Sequence, residues 1–452
     1  MDFPVIGAPD AGDTAWMLTS SALVLLMTPG LAFFYGGMVR SKNVLNMIMM
    51  SISAMGVVGV LWALYGFSIA FGDDKGNLFG DPAQYFGLKG IFGGAYTATT
   101  DDAGVVTPAS IPVAGGIPLT VFVAFQAMFA IITVALISGA VADRLKFGSW
   151  LLFAGVWATV VYFPVAHWVF AFDGITGETG GWIANKLKAI DFAGGTAVHI
   201  NAGIAALVLV LVLGKRKGWP QTPMRPHNLP FVMLGAGLLW FGWFGFNAGS
   251  AVGSNGIAGA TFLTTVIATA AAMLAWLFVE KIRDGHATSL GAASGIVAGL
   301  VAITPACNSV NVVGSLAIGV VAGALCALAV GLKFKFGFDD SLDVVGVHLV
   351  GGIVGTLMVG LVAAPEAPAA VKGLFYGGGA DQLIKQAAGA GAVLAFSGIA
   401  TLIIALAIKY TIGLRADEEA EFVGLDESEH AETAYDFAAV GGSARTALVK
   451  EA

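Results

Sequence analysis

Long apolar runs, each near the ~20 residues that carry a helix across a bilayer, alternate with short polar stretches along almost the whole chain. Eleven are predicted, at 15–37, 44–71, 117–142, 148–172, 193–214, 229–252, 257–280, 288–305, 311–333, 344–364 and 386–413, with the eighth the shortest. Two segments break the pattern. Residues 72–116 form a long loop rich in Gly, Asp and Thr, and residues 414–452 carry ten Asp or Glu and are too polar to insert. The expectation is an all-α polytopic membrane protein, with a transmembrane domain at 1–413 and a C-terminal tail at 414–452.

Charge between the runs sets an orientation. With the N-terminus outside, the inner loops and tail hold Arg40, Lys42, Arg144, Lys146, Lys215, Arg216, Lys217, Arg225, Lys281, Arg283, Lys333, Lys335, Lys409, Arg415, Arg445 and Lys450, which is 16 of the 22 basic residues. This is the positive-inside bias, and it predicts N-out and C-in. A missed or extra helix would scramble the alternation, so the bias also checks the count of eleven. Met1–Ala15 has no basic residue, so the first run is expected to be a retained span rather than a cleaved signal.

A motif recurs. Asp191-Phe-Ala-Gly-Gly-Thr-Ala-Val-His199 is followed by Gly203, and Asp340-Ser-Leu-Asp-Val-Val-Gly-Val-His348 by Gly352, both reading D-x6-V-H-x3-G at a separation of 149 residues. One copy enters span five and the other span ten. Five is odd, so the second half enters the membrane inverted, giving two inverted five-helix repeats plus a C-terminal helix. Inverted repeats place a substrate site near the midplane between the halves.

Composition narrows the class. The chain of 452 residues is 57% hydrophobic and only 11% charged, against about 25% charged in ordinary soluble domains. That excludes a cytosolic enzyme and a disordered chain, and a net charge of −7 argues against a nucleic-acid surface. Cys307 and Cys326 have no metal spacing and read as packing residues. No nucleotide motif or metal cluster is present, so no cofactor is expected. Gly291, Gly295 and Gly299, the pair Gly319 and Gly323, and the pair Gly351 and Gly355 have the spacing that lets helices approach closely.

His199 and His348 are the main candidates for chemistry, because an ionisable side chain inside a span is costly. Burial disfavours a charged imidazole, and a neutral one offers one donor and one acceptor. Two rings sharing a proton leave a donor or an acceptor for a small polar solute. Asp191 and Asp343 are placed to cap the N-termini of spans five and ten, and Asp191 is also a candidate to stabilise a cation at the entrance. Asp340 is assigned to the loop. Phe125, Phe129, Trp168 and Phe170 cluster near outer span ends, where ring faces attract an alkylammonium-like cation. The stretch Trp240-Phe-Gly-Trp-Phe-Gly-Phe-Asn-Ala-Gly-Ser250 is unusual for a lipid-facing helix and adds Trp243, Phe246, Asn247 and Ser250.

At these residues a resemblance becomes specific. Asp191 to Gly203, Pro-Gly-Leu-Ala-Phe-Phe-Tyr-Gly-Gly at 29–37, Gly-Trp-Phe-Gly-Phe-Asn-Ala-Gly-Ser at 242–250, Thr-Pro-Ala-Cys at 304–307, Asp-Val-Val-Gly-Val-His at 343–348 and Gly-Leu-Arg at 413–415 resemble the ammonium transporter family, Amt/Mep/Rh, on its bacterial Amt side. Gly424-Leu-Asp and Ala434-Tyr435 extend the likeness into the tail. The resemblance implies a homotrimer in a bacterial cytoplasmic membrane, with one pore per subunit. It implies an outer site for ammonium at Phe125, Phe129, Phe170 and Ser250, supported by Asp191, and a gate of Phe129 and Phe246 above the histidines. It also implies a tail that docks a PII signal protein. The family often has Trp in a His-x-x-Trp motif, but here it reads His167-Trp-Val-Phe170, and Phe is the weaker cation–π partner.

The expected activity is uptake of ammonium, with methylammonium as a further candidate, by recruitment, deprotonation and conduction of ammonia past His199 and His348. A proton relay through the pair would make it electrogenic. The alternatives are an electroneutral Rh-like channel for ammonia or carbon dioxide, an ammonium sensor, a haem enzyme with axial histidines and an amino-acid symporter.

Overall fold

The computed structural model describes residues 3–435. Eleven apolar helices follow one another: α1 (Ala11–Met38), α2 (Val44–Phe71), α3 (Leu119–Val141), α4 (Phe147–Phe170), α5 (Gly195–Leu213), α6 (Leu229–Gly249), α7 (Gly256–Asp284), α8 (Ser289–Ile303), α9 (Val312–Phe336), α10 (Val345–Val362) and α11 (Asp381–Thr411). Among the described residues, ten are long and apolar enough to cross a membrane. α8, the short eighth run of the sequence, has only 15 residues. The tail adds α12 (Glu418–Val423) and α13 (Leu425–His430). Arg445, Lys450 and the rest of the tail beyond Tyr435 lie outside the described residues.

Polar residues at the ends of the apolar runs start the helices. Asp10 accepts from the Asp13 N–H, Asn228 from Phe231, Thr288 from Gly291 and Asn311 from Gly314, each satisfying an orphan donor of the first turn. The helix ends fall into two sets. One face gathers the chain start, the loop after α2, and the connections before α5, after α6 and after α10, joined by bonds such as Asp10 N–H to Gly116 O, Asp74 N–H to Thr179 O and Phe192 N–H to Pro305 O. This mouth face is not purely helical: Ile6–Gly7, Ile111–Ala114 and Ile117–Pro118 form a small antiparallel sheet, and two short strand pairs lie between Asp74 and Thr107.

The opposite face carries the tail. Lys42 donates to the Glu421 carbonyl, Asn43 accepts from the Leu425 N–H at 2.7 Å, and Asp426 accepts from the Asn46 N–H at 2.8 Å. Beneath it lies a buried charge cluster in which Arg216 grips Asp339 through both oxygens and reaches Asp143, while Arg144 donates to the Asp339 carbonyl and to Ser341.

Small residues set the helix spacing. α7 packs against α8 and α9, where a Cβ on Gly299 would meet the Thr269 backbone at 2.8 Å and one on Gly319 the Ala268 carbonyl at 2.3 Å. α1 packs along α6, and α5 meets α10 around the two histidines.

Candidate functional site

The two motif copies build the same local structure twice. Asp191 caps α5 completely: one carboxylate oxygen accepts from the Gly194 and Gly195 N–H groups at 3.0 and 2.6 Å, the other from Thr196 and Ala197 at 2.9 Å each. The helix then opens with a wide π turn, Gly195–Ile200, that holds His199. In α10, Asp340 accepts from the Val344 and Val345 N–H groups at 3.1 and 2.7 Å, and a second π turn, Val345–Leu349, holds His348. This corrects the expectation that Asp343 caps α10 and that Asp340 is a loop charge. Asp343 adjoins Val344 and sits at φ +64° in an ion pair with Lys333 at 2.7 Å. A cap must stand several residues upstream to reach back to the first N–H groups, and Asp340, eight before its histidine like Asp191, does. π turns recur at functional sites because they shift side chains out of the regular helix register.

The motif glycines let the helices cross at the histidines. A Cβ on Gly203 would sit 2.6 Å from the Leu349 Cα, next to His348, and one on Gly352 would sit 3.1 Å from the His199 Cβ. Across this contact, Nδ1 of His348 lies 3.2 Å from Nδ1 of His199, with the rings 5.3 Å apart and inclined by 22°. Both side chains are buried, and Nε2 of His199 has no hydrogen-bond partner among the described residues. Direct bonding between the rings leaves no space for a porphyrin between them, so the pair does not fit haem. Among the described residues, no group of three His, Cys, Asp or Glu could hold a metal ion.

Toward the mouth face the rings continue in a column. His199 stacks on Trp243 at 5.4 Å and on Phe246 at 6.1 Å, and Phe246 lies 4.3 Å from Phe129 at 34°. Phe129 and Phe246 are buried, so they close the column. Above them opens a cavity of about 310 Å³ whose wall includes Phe129, Phe170 and Ser250. The Ser250 hydroxyl donates to the Phe246 carbonyl at 2.8 Å, leaving its lone pairs free to accept from a guest. An adjoining cavity shares Ser250 and Phe192 and reaches Asp191. The mouth therefore combines ring faces, a hydroxyl acceptor and a carboxylate behind them, a set suited to a small N–H cation.

The structure brings together Phe129, Phe170, Ser250, Phe246, His199, His348 and Trp243. Phe125 stands behind Phe129 at 4.9 Å and supports it from outside the cavity wall. Asn247 is buried, donating to Thr265 and accepting from Thr304, which also accepts from the Trp243 indole N–H at 2.8 Å. Trp168 points away from the cavity, donating to the Leu78 carbonyl and packing on Phe396. Sequence reasoning passed over Thr304, which orients Trp243, and the cavity residues Phe71, Phe122, Gln126 and Thr176. Thr304 belongs to the Thr-Pro-Ala-Cys motif; Phe71 and Phe122 have no signal beyond hydrophobicity, and Gln126 and Thr176 belong to no motif.

The family model described as Ammonium Transporter Family matches residues 15–435. The chain belongs to the ammonium transporter family. The ammonium transporter of Mycobacterium tuberculosis H37Rv is 75% identical over 448 residues, covering 98% of this chain and 94% of that protein, and that of Bacillus subtilis is 45% identical, covering 94% and 98%. Among solved structures, Mep2 of Saccharomyces cerevisiae superposes with a TM-score of 0.80 at 33% identity, covering 91% of this chain and 89% of that one. A sensor Amt protein does so with a TM-score of 0.81 at 27% identity, covering 93% and 98%. The stretch matched to the ammonium transporter family takes in the mouth cavity, the histidine pair and the docked tail.

Proposed function

We propose that this member of the ammonium transporter family takes up ammonium by stripping its proton at the Phe129–Phe246 closure and passing ammonia along the histidine pair. The observation that carries the reading is the column itself: a cation-attracting cavity sealed by two phenylalanines above two imidazoles bonded to each other. Ammonium rests on the faces of Phe129 and Phe170, donates to Ser250 and is favoured by the negative charge of Asp191. Beyond Phe129 the path is apolar and enclosed, and a bare cation entering it meets a desolvation cost of several kcal/mol or more. Ammonium can shed that charge as a proton; potassium cannot. The shared Nδ1 proton leaves one Nε2 as acceptor and the other as donor, so the pair can bond ammonia on both rings.

The surrounding assignments belong to the same reading. Contacts of α1 with α6 and of α5 with α10 support two inverted repeats, since each pairs matching helices of the two halves. The basic residues of the tail face support N-out and C-in in a bacterial cytoplasmic membrane. A homotrimer belongs to this reading through membership of the family. The acidic tail, with Phe422 83% exposed, supports docking of a PII-type protein; methylammonium fits the mouth as a larger cation.

The test is current from proteoliposomes after matched pulses of ammonium and potassium chloride. Current with ammonium alone supports selective transport with the proton relayed. Lumenal alkalinisation without current would make the protein an electroneutral ammonia channel. Equal currents with both ions would overturn the deprotonation step.

A further inference from the structure

His167 lies in the last turn of α4, three residues before Phe170 of the mouth. It is fully buried, and both ring nitrogens face oxygen acceptors. Nδ1 is 3.0 Å from the Ala70 carbonyl oxygen, and Nε2 is 3.2 Å from a carboxylate oxygen of Asp74. A carbonyl and a carboxylate accept only, and a neutral imidazole has a single N–H. Both contacts are hydrogen bonds only when the pair holds one more proton, either as imidazolium facing carboxylate or as imidazole facing carboxylic acid.

This contact fastens two segments that wall the mouth. The Asp74 N–H donates to the Thr179 carbonyl, Asp73 accepts from the Glu178 and Thr179 N–H groups at 2.6 and 3.2 Å, and Thr176 donates to the Phe71 carbonyl at 2.7 Å. Phe71 and Thr176, from the two fastened segments, line the cavity with Phe170. We infer that His167 and Asp74 form a proton-holding clasp that positions this wall, so that capture of ammonium weakens as pH rises. The inference rests on the transport reading above.

The charged neighbours do not supply the missing proton. Lys75 pairs with Asp81 at 3.0 Å rather than with Asp74. Asp73 is committed to backbone N–H groups, Asp173 accepts from the Gly180 N–H, and Lys186 bonds Asn77. Tyr85 donates to the Thr176 carbonyl, and α2 presents the Ala70 carbonyl and apolar rings. Loss of the shared proton leaves one N–H for two acceptors, so a ring lone pair faces either the Ala70 carbonyl or the Asp74 carboxylate, and the clasp keeps one of its two bonds and is weakened.

Asp74→Asn is the diagnostic variant, because its amide N–H can donate to a neutral imidazole and needs no extra proton. The full-length protein in proteoliposomes is assayed for half-saturating ammonium, counted as the ion, from about pH 5.5 to about pH 8.5. The wild type should weaken by about tenfold over that range, as for one lost hydrogen bond to a charged group. Asp74→Asn should stay flat, and His167→Ala should be weak throughout. A separate readout needs no transport: hydrogen exchange of residues 72–82 in the detergent-solubilised protein, corrected for intrinsic rates. Protection should fall with pH in the wild type and hold in Asp74→Asn. An Asp74→Asn profile that follows the wild type in both assays overturns the clasp. Absence of both ammonium current and lumenal alkalinisation in the wild type, with the exchange difference intact, overturns the transport reading and leaves the clasp standing.

Discussion

His199 and His348 meet Nδ1 to Nδ1 at 3.2 Å although 149 residues separate them in the chain. The contact makes two neutral rings into one unit with a single internal proton, open as donor at one end and acceptor at the other. Replacing one ring by a carboxylate destroys that neutrality. His199→Glu should place a negative charge in the apolar column, draw in water and lower the cost of a bare cation. Potassium current relative to ammonium current should then rise by about tenfold or more, one pKa-unit equivalent of barrier per decade. Ion selectivity unchanged in that variant would remove the pair from the permeation path.

The two aspartate caps give a graded prediction. Asp191 bonds four backbone N–H groups and Asp340 two. In Asp191→Asn the amide nitrogen faces N–H groups it cannot accept from, and each buried N–H left unpaired costs about 1–3 kcal/mol. Asp340→Asn leaves about half as many unpaired. Melting in detergent should therefore fall further for Asp191→Asn, and that variant should also lose ammonium uptake with the cavity's charge. A melting temperature for Asp340→Asn equal to that of the wild type would refute the capping account of Asp340.

Much of this was legible in the residues. Apolar runs of spanning length located the helices to within a few residues, and D-x6-V-H-x3-G located the paired histidines, because cap, ring and close-approach glycine occupy fixed offsets along one helix entrance. What failed was three-dimensional. Asp343, beside the apolar run, reads as the cap and Asp340 as a loop charge, since reach to an N–H depends on a left-handed turn at Asp343 that no pattern announces. Trp168 seemed a cage residue from its distance to the span end, but the helix phase turns it toward Phe396 and brings Phe170 to the mouth. His167 carried no signal because its partners come from another helix and a loop.

The motif glycines should differ in tolerance. A Cβ on Gly203 meets backbone of α10 at 2.6 Å, whereas one on Gly352 meets the Gly195 carbonyl at 3.0 Å and the His199 Cβ at 3.1 Å. Gly203→Ala must push α5 and α10 apart, with overpacking of about 1–3 kcal/mol and a stretched histidine contact. Gly352→Ala should be milder, and Gly237→Ala, whose Cβ would meet nothing within 4 Å, should be silent. Methylammonium uptake and melting temperature, compared across the three, check the order.

Arg216 should decide how the tail face responds to acid. It bonds Asp339 at 2.8 and 2.9 Å and Asp143 at 3.4 Å, with all three side chains nearly buried. Burial opposes the charge of Asp339, yet the bonds from Arg216 and the nearby charge of Arg144 hold its carboxyl below the ordinary carboxylate range. A depressed carboxyl contributes stability that is complete above its unfolded pKa, about 3.9, and is lost as pH falls through the folded value. Arg216→Met removes the side-chain partner of Asp339, which keeps only the backbone N–H of residue 216 and the nearby charge of Arg144, while Asp143 stays paired with Arg40 at 3.0 Å; breaking a buried pair in this way costs up to about 3–5 kcal/mol. Without that partner the Asp339 carboxyl is no longer held below its unfolded value, so the stability it contributes at neutral pH is gone and protonation relieves the buried charge. Melting temperature in detergent, followed from about pH 7 down to about pH 3, should start lower in the variant, and the gap to the wild type should close as pH falls. A gap that stays constant over that range would show that Asp339 owes its charge to something other than Arg216.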